Sequence, residues 1–172
     1  MRIISGKYKG RKIDGFNIDG TRPTMDRIKE SIFGIIQNNI KDSIVLDLFS
    51  GSGALGLEAL SNGAKEAYLV DNNNVAIKTI KSNSKGIENI NIIKSDYKSY
   101  LLTTNIKYDV IFLDPPYDLN LINPSIEIIK KRNLLKPNGI IICEYENELI
   151  NNYYKIKKEK KYGKTKVTIF HI

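Results

Sequence analysis

Residues 45–60 read VLDLFSGSGALGLEAL: an apolar run carrying an acid, a glycine-rich turn, then apolar residues at helical spacing. Gly51, Gly53 and Gly56 form a GxGxxG pattern directly after a strand and at the opening of a helix. A turn that tight needs glycine for its dihedral angles and for close approach of the backbone to a ligand. Alone the pattern is compatible with NAD, FAD or a nucleoside cofactor. Asp47 sharpens it. A carboxylate at the end of the same strand, four residues ahead of the first glycine, repels a pyrophosphate and attracts a ligand with a positive centre and an ammonium group. That favours S-adenosylmethionine over a dinucleotide.

Downstream the pattern alternates. EAYLVD (66–71), NIIKSD (91–96), YDVIFLD (108–114) and GIIICEY (139–145) read as strands, separated by helix-like segments such as PSIEIIKKRNLL (124–135). Strands alternating with helices imply a parallel sheet covered on both faces. Asn123 before Pro124 suits a helix N-cap with proline at the first helical position. Pro137, Asn138 and Gly139 suit a turn before the fifth strand. The tail YKIKKEKKYGKTKVTIF (154–170) reads as two antiparallel strands joined around Gly163. The expected fold is α/β and doubly wound: a Rossmann-like, mostly parallel sheet whose last strand is antiparallel.

Four consecutive strands end in Asp: Asp47, Asp71, Asp96 and Asp114. Asp71 stands where a carboxylate can accept from ribose hydroxyls, or can cap the following helix. Asp96 can accept from an adenine amino group or cap the short helix after it. Asp114 opens the turn in IFLDPPYD (111–118), where two prolines that cannot donate to a ladder stop the strand and stiffen the chain at the sheet's carboxyl edge.

The 172 residues suffice for one well-cored domain. The first 43 read as an extension: a small hairpin or bent ribbon over MRIISGKYKGRKI, then a helix over TRPTMDRIKESIFGIIQ, capped by Thr24 and with Asp26 at the positive end of its dipole. Its apolar face would be Ile28, Ile32, Phe33, Ile35 and Ile36. Lys and Arg outnumber Asp and Glu by 27 to 19, a formal charge of +8. The excess sits at the two ends: eight bases against three acids in residues 1–29, and seven lysines against Glu159 in residues 155–166. Exposed bases so clustered suit a polyanion. A single cysteine, Cys143, precludes an intramolecular disulfide, and His171, the single histidine, argues against a nitrogen-ligated metal. No signal peptide opens the chain, and no apolar run approaches the length of about 20 residues that crosses a bilayer. A reducing cytoplasm is expected.

The glycine loop together with DPPY resembles the class I S-adenosylmethionine-dependent methyltransferases that modify exocyclic amines of bases. SGKYKGRKI, then TRPTMDRIKESIF, then VLDLFSGSGALGLEAL resemble, in this order and spacing, the RsmD-like 16S rRNA (guanine-N2)-methyltransferases. The likeness runs over nearly the whole chain, to KYGKTKVTIF at its close.

This resemblance implies an S-adenosylmethionine site of Asp47, Gly51 and Gly53 around the methionine part, Asp71 at the ribose and Asp96 with Tyr97 at the adenine, with Phe49, Asn72 and Asp114 also among the cofactor residues. Asp114 and the Pro115 carbonyl would accept hydrogen bonds from the target amine, and Tyr117 would stack on the base. Residues 44–172 would form the methyltransferase domain and residues 1–43 an RNA-binding extension, contacting RNA through Arg2, Lys7, Lys9, Arg11, Lys12, Arg22 and Arg27. The implied partner is 16S rRNA within the small ribosomal subunit, with no metal and no membrane, and the protein is expected to be a monomer. A DNA adenine-N6 or cytosine-N4 methyltransferase shares DPPY, but such enzymes usually carry a target-recognition region for which this chain has no room. An RNA-binding module with a vestigial nucleotide fold would show damage in the glycine loop or in DPPY, and both are intact. A dinucleotide oxidoreductase is opposed by Asp47 and by the lack of a second domain.

Overall fold

The computed structural model of the chain describes residues 1–15, 23–151 and 153–171. The strands are β1 (Ile44–Asp47), β2 (Glu66–Asp71), β3 (Ile90–Lys94), β4 (Tyr108–Leu113), β5 (Leu135–Tyr145), β6 (Lys155–Tyr162) and β7 (Thr165–His171). The helices are α1 (Pro23–Ile40), α2 (Ala54–Ser61), α3 (Asn74–Asn83), α4 (Tyr97–Thr103) and α5 (Ile122–Lys131). Among the described residues the strands make one sheet in the order β3-β2-β1-β4-β5-β7-β6. β1 to β5 pair in parallel, and β7 is antiparallel to both neighbours.

The near-continuous apolar strands are explained by two cores, one on each face. Successive side chains of a strand point to opposite sides. Val45, Val110, Phe112, Ile140, Ile142 and Ile169 thus enter one core with α1, α2 and α3. Leu46, Ile111, Leu113, Ile141, Cys143 and Phe170 enter the other with α4 and α5. Ile28, Ile32, Phe33 and Ile36 of α1 are buried as the spacing predicts, and Phe33 meets Phe112 with ring centroids 5.7 Å apart. From β1 the chain builds outward to β3, then crosses to β4 and β5 on the other side. This reversal opens a crevice at the carboxyl ends of β1 and β4, where open α/β sheets bind ligands.

The N-terminal ribbon is a short antiparallel bridge, Arg2 with Lys12, whose Ile3 and Ile13 are buried in the first core. It is fastened to α2 through Glu58. One carboxylate accepts from the Ile4 and Ser5 amides and the Ser5 hydroxyl, and pairs with Lys29 Nζ at 3.1 Å. Gly6 is held against α2 at a left-handed φ of +80°, where a Cβ would stand 1.8 Å from the Ser61 carbonyl oxygen. The SGKYKG segment therefore tolerates no side chain there.

Four local expectations are corrected. Lys29 is buried, because it completes the Glu58 site and donates to the Arg2 carbonyl, so it is not one of the exposed bases. Thr24 lies inside α1, whose first residue is Pro23. Asn123 lies inside α5, which begins one residue earlier. The Glu148 carboxylate caps that helix instead, accepting from the Ile122 and Asn123 amides, and the Asn123 side chain is turned to Glu148 and the Leu149 carbonyl. Finally, β5 starts ahead of the Pro137–Gly139 turn: Tyr108 pairs with Leu135 and Val110 with Ile140, so residues 136–139 bulge out within the strand.

Candidate active site

The chemistry-bearing residues come from the ends of neighbouring strands. Asp47 closes β1, fully buried, and its Oδ2 accepts from the Gly56 amide at 3.0 Å. Burial pushes its carboxyl up to about 7; the Gly56 N–H opposes the shift and the Asp71 charge adds to it. The loop after it is pinned by Ser50, whose hydroxyl donates to the Asp47 and Val70 carbonyls. The three glycines divide their work. Gly51, at φ +52°, faces the cavity with open space where its Cβ would be. Gly53 and Gly56 instead let α2 approach β2, since a Cβ would meet Leu69 at 3.0 and 2.6 Å respectively.

Asp71 ends β2 and accepts from the Gly51 amide at 2.9 Å and the Asn73 amide at 2.8 Å. It does not cap α3: Asn73 does, accepting from the Val75 amide. Asp96 does cap the following helix. Its carboxylate accepts from the Ser99 amide at 2.9 Å, the Ser99 hydroxyl and then that amide hold its pKa low, and its flanking residues Ser95 and Tyr97 line the cavity in its place. The Tyr97 ring packs against Phe49 with centroids 5.6 Å apart. The pair makes an aromatic wall suited to a planar ring.

After β4, Asp114 and Pro115 lead into a 3-10 turn at Tyr117–Leu119. The Asp114 carboxyl is raised well above the usual range by burial, then by Glu144 and by Asp47. Glu144, near the end of β5, is raised by burial as well, partly offset by the Tyr117 hydroxyl that donates to its Oε1 at 3.2 Å. Sequence reasoning passed over Glu144. The signal that found the other acids was available, because β5 also carries its acid at the carboxyl end.

These residues share a cavity of about 500 Å³ lined by Asp47, Phe49, Gly51, Asp71, Asn72, Tyr97, Asp114, Pro115 and Tyr117 together with Glu144. Of the expected cofactor residues, Gly53 and Asp96 stand outside that lining. Three carboxylates, Asp47, Asp114 and Glu144, converge from adjacent strands. Lys29, the one basic side chain in the lining among the described residues, is already paired with Glu58. Among the described residues no cluster of His, Cys, Asp and Glu is arranged to hold a metal ion. Buried acids without a counter-cation suit a positively charged organic ligand.

The expected RNA contacts fall into two sets. The ends of the ribbon reach the cavity, where Met1 and Gly15 line it, and Arg2 and Lys12 are exposed beside them. Its tip lies against the far end of α2, the Lys7 amide donating to the Ser61 carbonyl. Lys7 and Lys9 therefore stand away from the mouth by the length of that helix, about 12 Å at the α-helical rise per residue. The Arg11 guanidinium is engaged by the Lys85 carbonyl, Arg27 is exposed near the start of α1, and Arg22 lies outside the described residues. Asn83 ties ribbon to loop: its side chain donates to the carbonyls of Ser52 and Asp14 and accepts from the Asp14 amide.

The chain is similar to known proteins over nearly its whole length. The family model for Conserved hypothetical protein 95 matches residues 1–171. The ribosomal RNA small subunit methyltransferase D of Buchnera aphidicola subsp. Baizongia pistaciae is 39% identical, over 99% of this chain and 91% of its own. A putative methyltransferase, yhhF, from Escherichia coli superposes with a TM-score of 0.88 at 30% identity, covering 99% and 97% of the two chains. The Thermus thermophilus 16S rRNA N2 G1207 methyltransferase (RsmC), solved with AdoMet and guanosine, shares the fold at a TM-score of 0.74 and 19% identity, over 91% of this chain and 45% of that one.

Proposed function

The chain belongs to the Conserved hypothetical protein 95 family, that of the RsmD rRNA methyltransferases, and from that premise we propose that it transfers a methyl group from S-adenosylmethionine to the exocyclic N2 of a guanine in 16S rRNA of the small ribosomal subunit. The observation that carries this reading is the meeting of Asp114 and Pro115 with Asp47 and Gly51 in one cavity across the β1–β4 crevice.

When bound, S-adenosylmethionine supplies an electrophilic methyl carbon on a sulfonium. The chain's own residues supply attraction, orientation and proton acceptance. Asp47, with Asp114 and Glu144 behind it, favours the positive end of the cofactor. Asp71, with lone pairs beyond those used by Gly51 and Asn73, would accept from the ribose hydroxyls, and Phe49 with Tyr97 would flank the adenine. Asp96 serves this pocket through the backbone it caps.

An exocyclic amine is a weak nucleophile because its lone pair is delocalised into the ring. Asp114 and the Pro115 carbonyl accept from its two hydrogens and favour a pyramidal nitrogen, aligned for in-line attack. Asp114, ionised once a positive ligand sits beside it, then receives the proton as the nitrogen becomes cationic. Tyr117, partly exposed at the rim, stacks on a base drawn out of its helix. The ribbon ends and Arg27 bear on the RNA backbone as the N-terminal part of the binding surface.

The deciding experiment incubates the protein with methyl-labelled S-adenosylmethionine and, separately, small subunits, deproteinised 16S rRNA and DNA, then identifies the methylated nucleoside after digestion. N2-methylguanosine from small-subunit RNA is expected. N6-methyladenine or N4-methylcytosine from DNA would replace this reading with the DNA enzyme.

A further inference from the structure

We propose that the β6–β7 hairpin is a second RNA-backbone contact, in which Lys161, Lys164 and Lys166 hold phosphates beside the catalytic turn. The proposal rests on the reading of RNA as substrate and assigns it a contact outside the N-terminal arm.

Position is the first argument. Because β7 runs antiparallel, its beginning lies against the end of β5: Val167 pairs with Glu144 and Lys166 with Tyr145. Tyr162 pairs with Thr165, so the intervening Gly163 and Lys164 turn at the same sheet edge as the acids. The Thr165 side chain lies near Tyr117, whose hydroxyl bonds Glu144. The hairpin tip thus neighbours the cavity beyond Glu144, on the flank away from β2 and β3, without lining it.

Charge is the second. Lys161 and Lys166 are direct cross-strand partners, an arrangement that like charges make unfavourable unless an anion sits between them. Neither has a carboxylate partner: the ion pairs among the described residues are Lys29–Glu58 and Lys136–Asp109. Lys166 lies over the Tyr145 ring, 5.8 Å from its centroid, and Glu159, the one acid of β6, takes a hydrogen bond from Thr168.

Lysines on an edge strand also prevent edge-to-edge pairing. That accounts for lysines along β6, two of which are in any case bound to α1, Lys157 to Asn39 and Lys160 to Ser31. It does not account for Lys164 in the turn or for Lys166 on β7, which is paired on both sides and has no edge to protect. Flexible point charges with no planar fork suit phosphates better than base edges, so the hairpin contributes affinity and orientation and leaves base choice to the cavity.

The test compares a K161Q/K164Q/K166Q variant with K41Q/K65Q/K107Q, which removes the same charge from exposed lysines at the opposite, amino edge of the sheet. Binding of 16S rRNA and of small subunits is titrated against salt. The hairpin variant should lose about two from the slope of log K against log salt, for three phosphate contacts, with KM for RNA raised about 10- to 100-fold. Its kcat and S-adenosylmethionine affinity should match wild type, and the amino-edge variant should stay within about twofold of it. An unchanged slope, equal losses in the two variants, or wild-type binding that is insensitive to salt would overturn the proposal. Should the wild type bind RNA yet methylate only another substrate, the reading of function fails while the titration still decides the hairpin.

Discussion

The Tyr117 hydroxyl donates to Glu144 Oε1 across 3.2 Å, linking the proline turn after β4 to the end of β5. The ring proposed to stack on a base is therefore positioned by an acid from the neighbouring strand. Replacing Tyr117 by Phe removes that bond and keeps the ring, so turnover should fall by less than about tenfold. Replacing it by Ala removes the stacking surface as well, and a stacking loss of about 1–3 kcal/mol should appear in steady-state kinetics as roughly a 5- to 150-fold lower kcat/KM.

Asp114→Ala should lower kcat by about 100-fold or more, the scale set by losing a proton acceptor and an oriented hydrogen bond. Equilibrium dialysis should still show S-adenosylmethionine bound, because Asp47, Asp71 and the Phe49–Tyr97 wall are untouched. Near-normal turnover would remove Asp114 from the chemistry.

Asp47 makes the stability of the ligand-free protein pH-dependent. Its folded pKa of about 7 exceeds the unfolded 3.8, so the folded state holds a proton that the unfolded chain has lost. Stability on this account is intact below about pH 4 and declines as pH rises to about 7, by at most roughly 4 kcal/mol at about 1.4 kcal/mol per pH unit. Thermal melts should show Asp47→Asn above wild type at pH 8, with the gap narrowing through pH 5 and closing near pH 4. S-adenosylmethionine, whose positive charge favours the ionised acid, should bind wild type more tightly at pH 8 than at pH 5.5, with proton release seen by calorimetry.

Two glycines of the ribbon should part company on substitution. Gly6→Ala forces a methyl to within 1.8 Å of the Ser61 carbonyl oxygen. It should detach the ribbon and cost several kcal/mol in a denaturant melt. Gly10, at φ +84°, has open space around its Cβ position. Its substitution should cost only the left-handed strain of about 1–2 kcal/mol.

The sheet and the positions of its acids were legible because both follow from short-range pattern. Apolar runs set the strands, Asp47, Asp71 and Asp114 mark their carboxyl ends, and a parallel sheet gathers those ends on one edge. What local reasoning missed depends on contacts distant in sequence. Asn123 is a good N-cap residue, yet Glu148 reaches back from beyond β5, accepts from the first two amides of the helix and takes that role. Lys29 belongs to a basic segment, but α1 turns it inward to a carboxylate on α2. Gly53 completes the fingerprint while serving helix packing, and only the crowding at Leu69 reveals it. Glu144 could have been read, but its importance comes from standing beside Asp114 and Tyr117, a relation that β-sheet order alone creates.

The antiparallel strand slotted between β5 and β6 constrains how the molecule can be made. During vectorial synthesis β5 emerges with its apolar Ile140–Cys143 segment open along one side, and it stays so until β7, the later of the two hairpin strands, follows and covers it. A nascent chain stalled before Thr165 would display that seam to its neighbours. Maturation of the catalytic rim should therefore be a late, all-at-once event, and ribosome-bound intermediates a principal hazard for clumping.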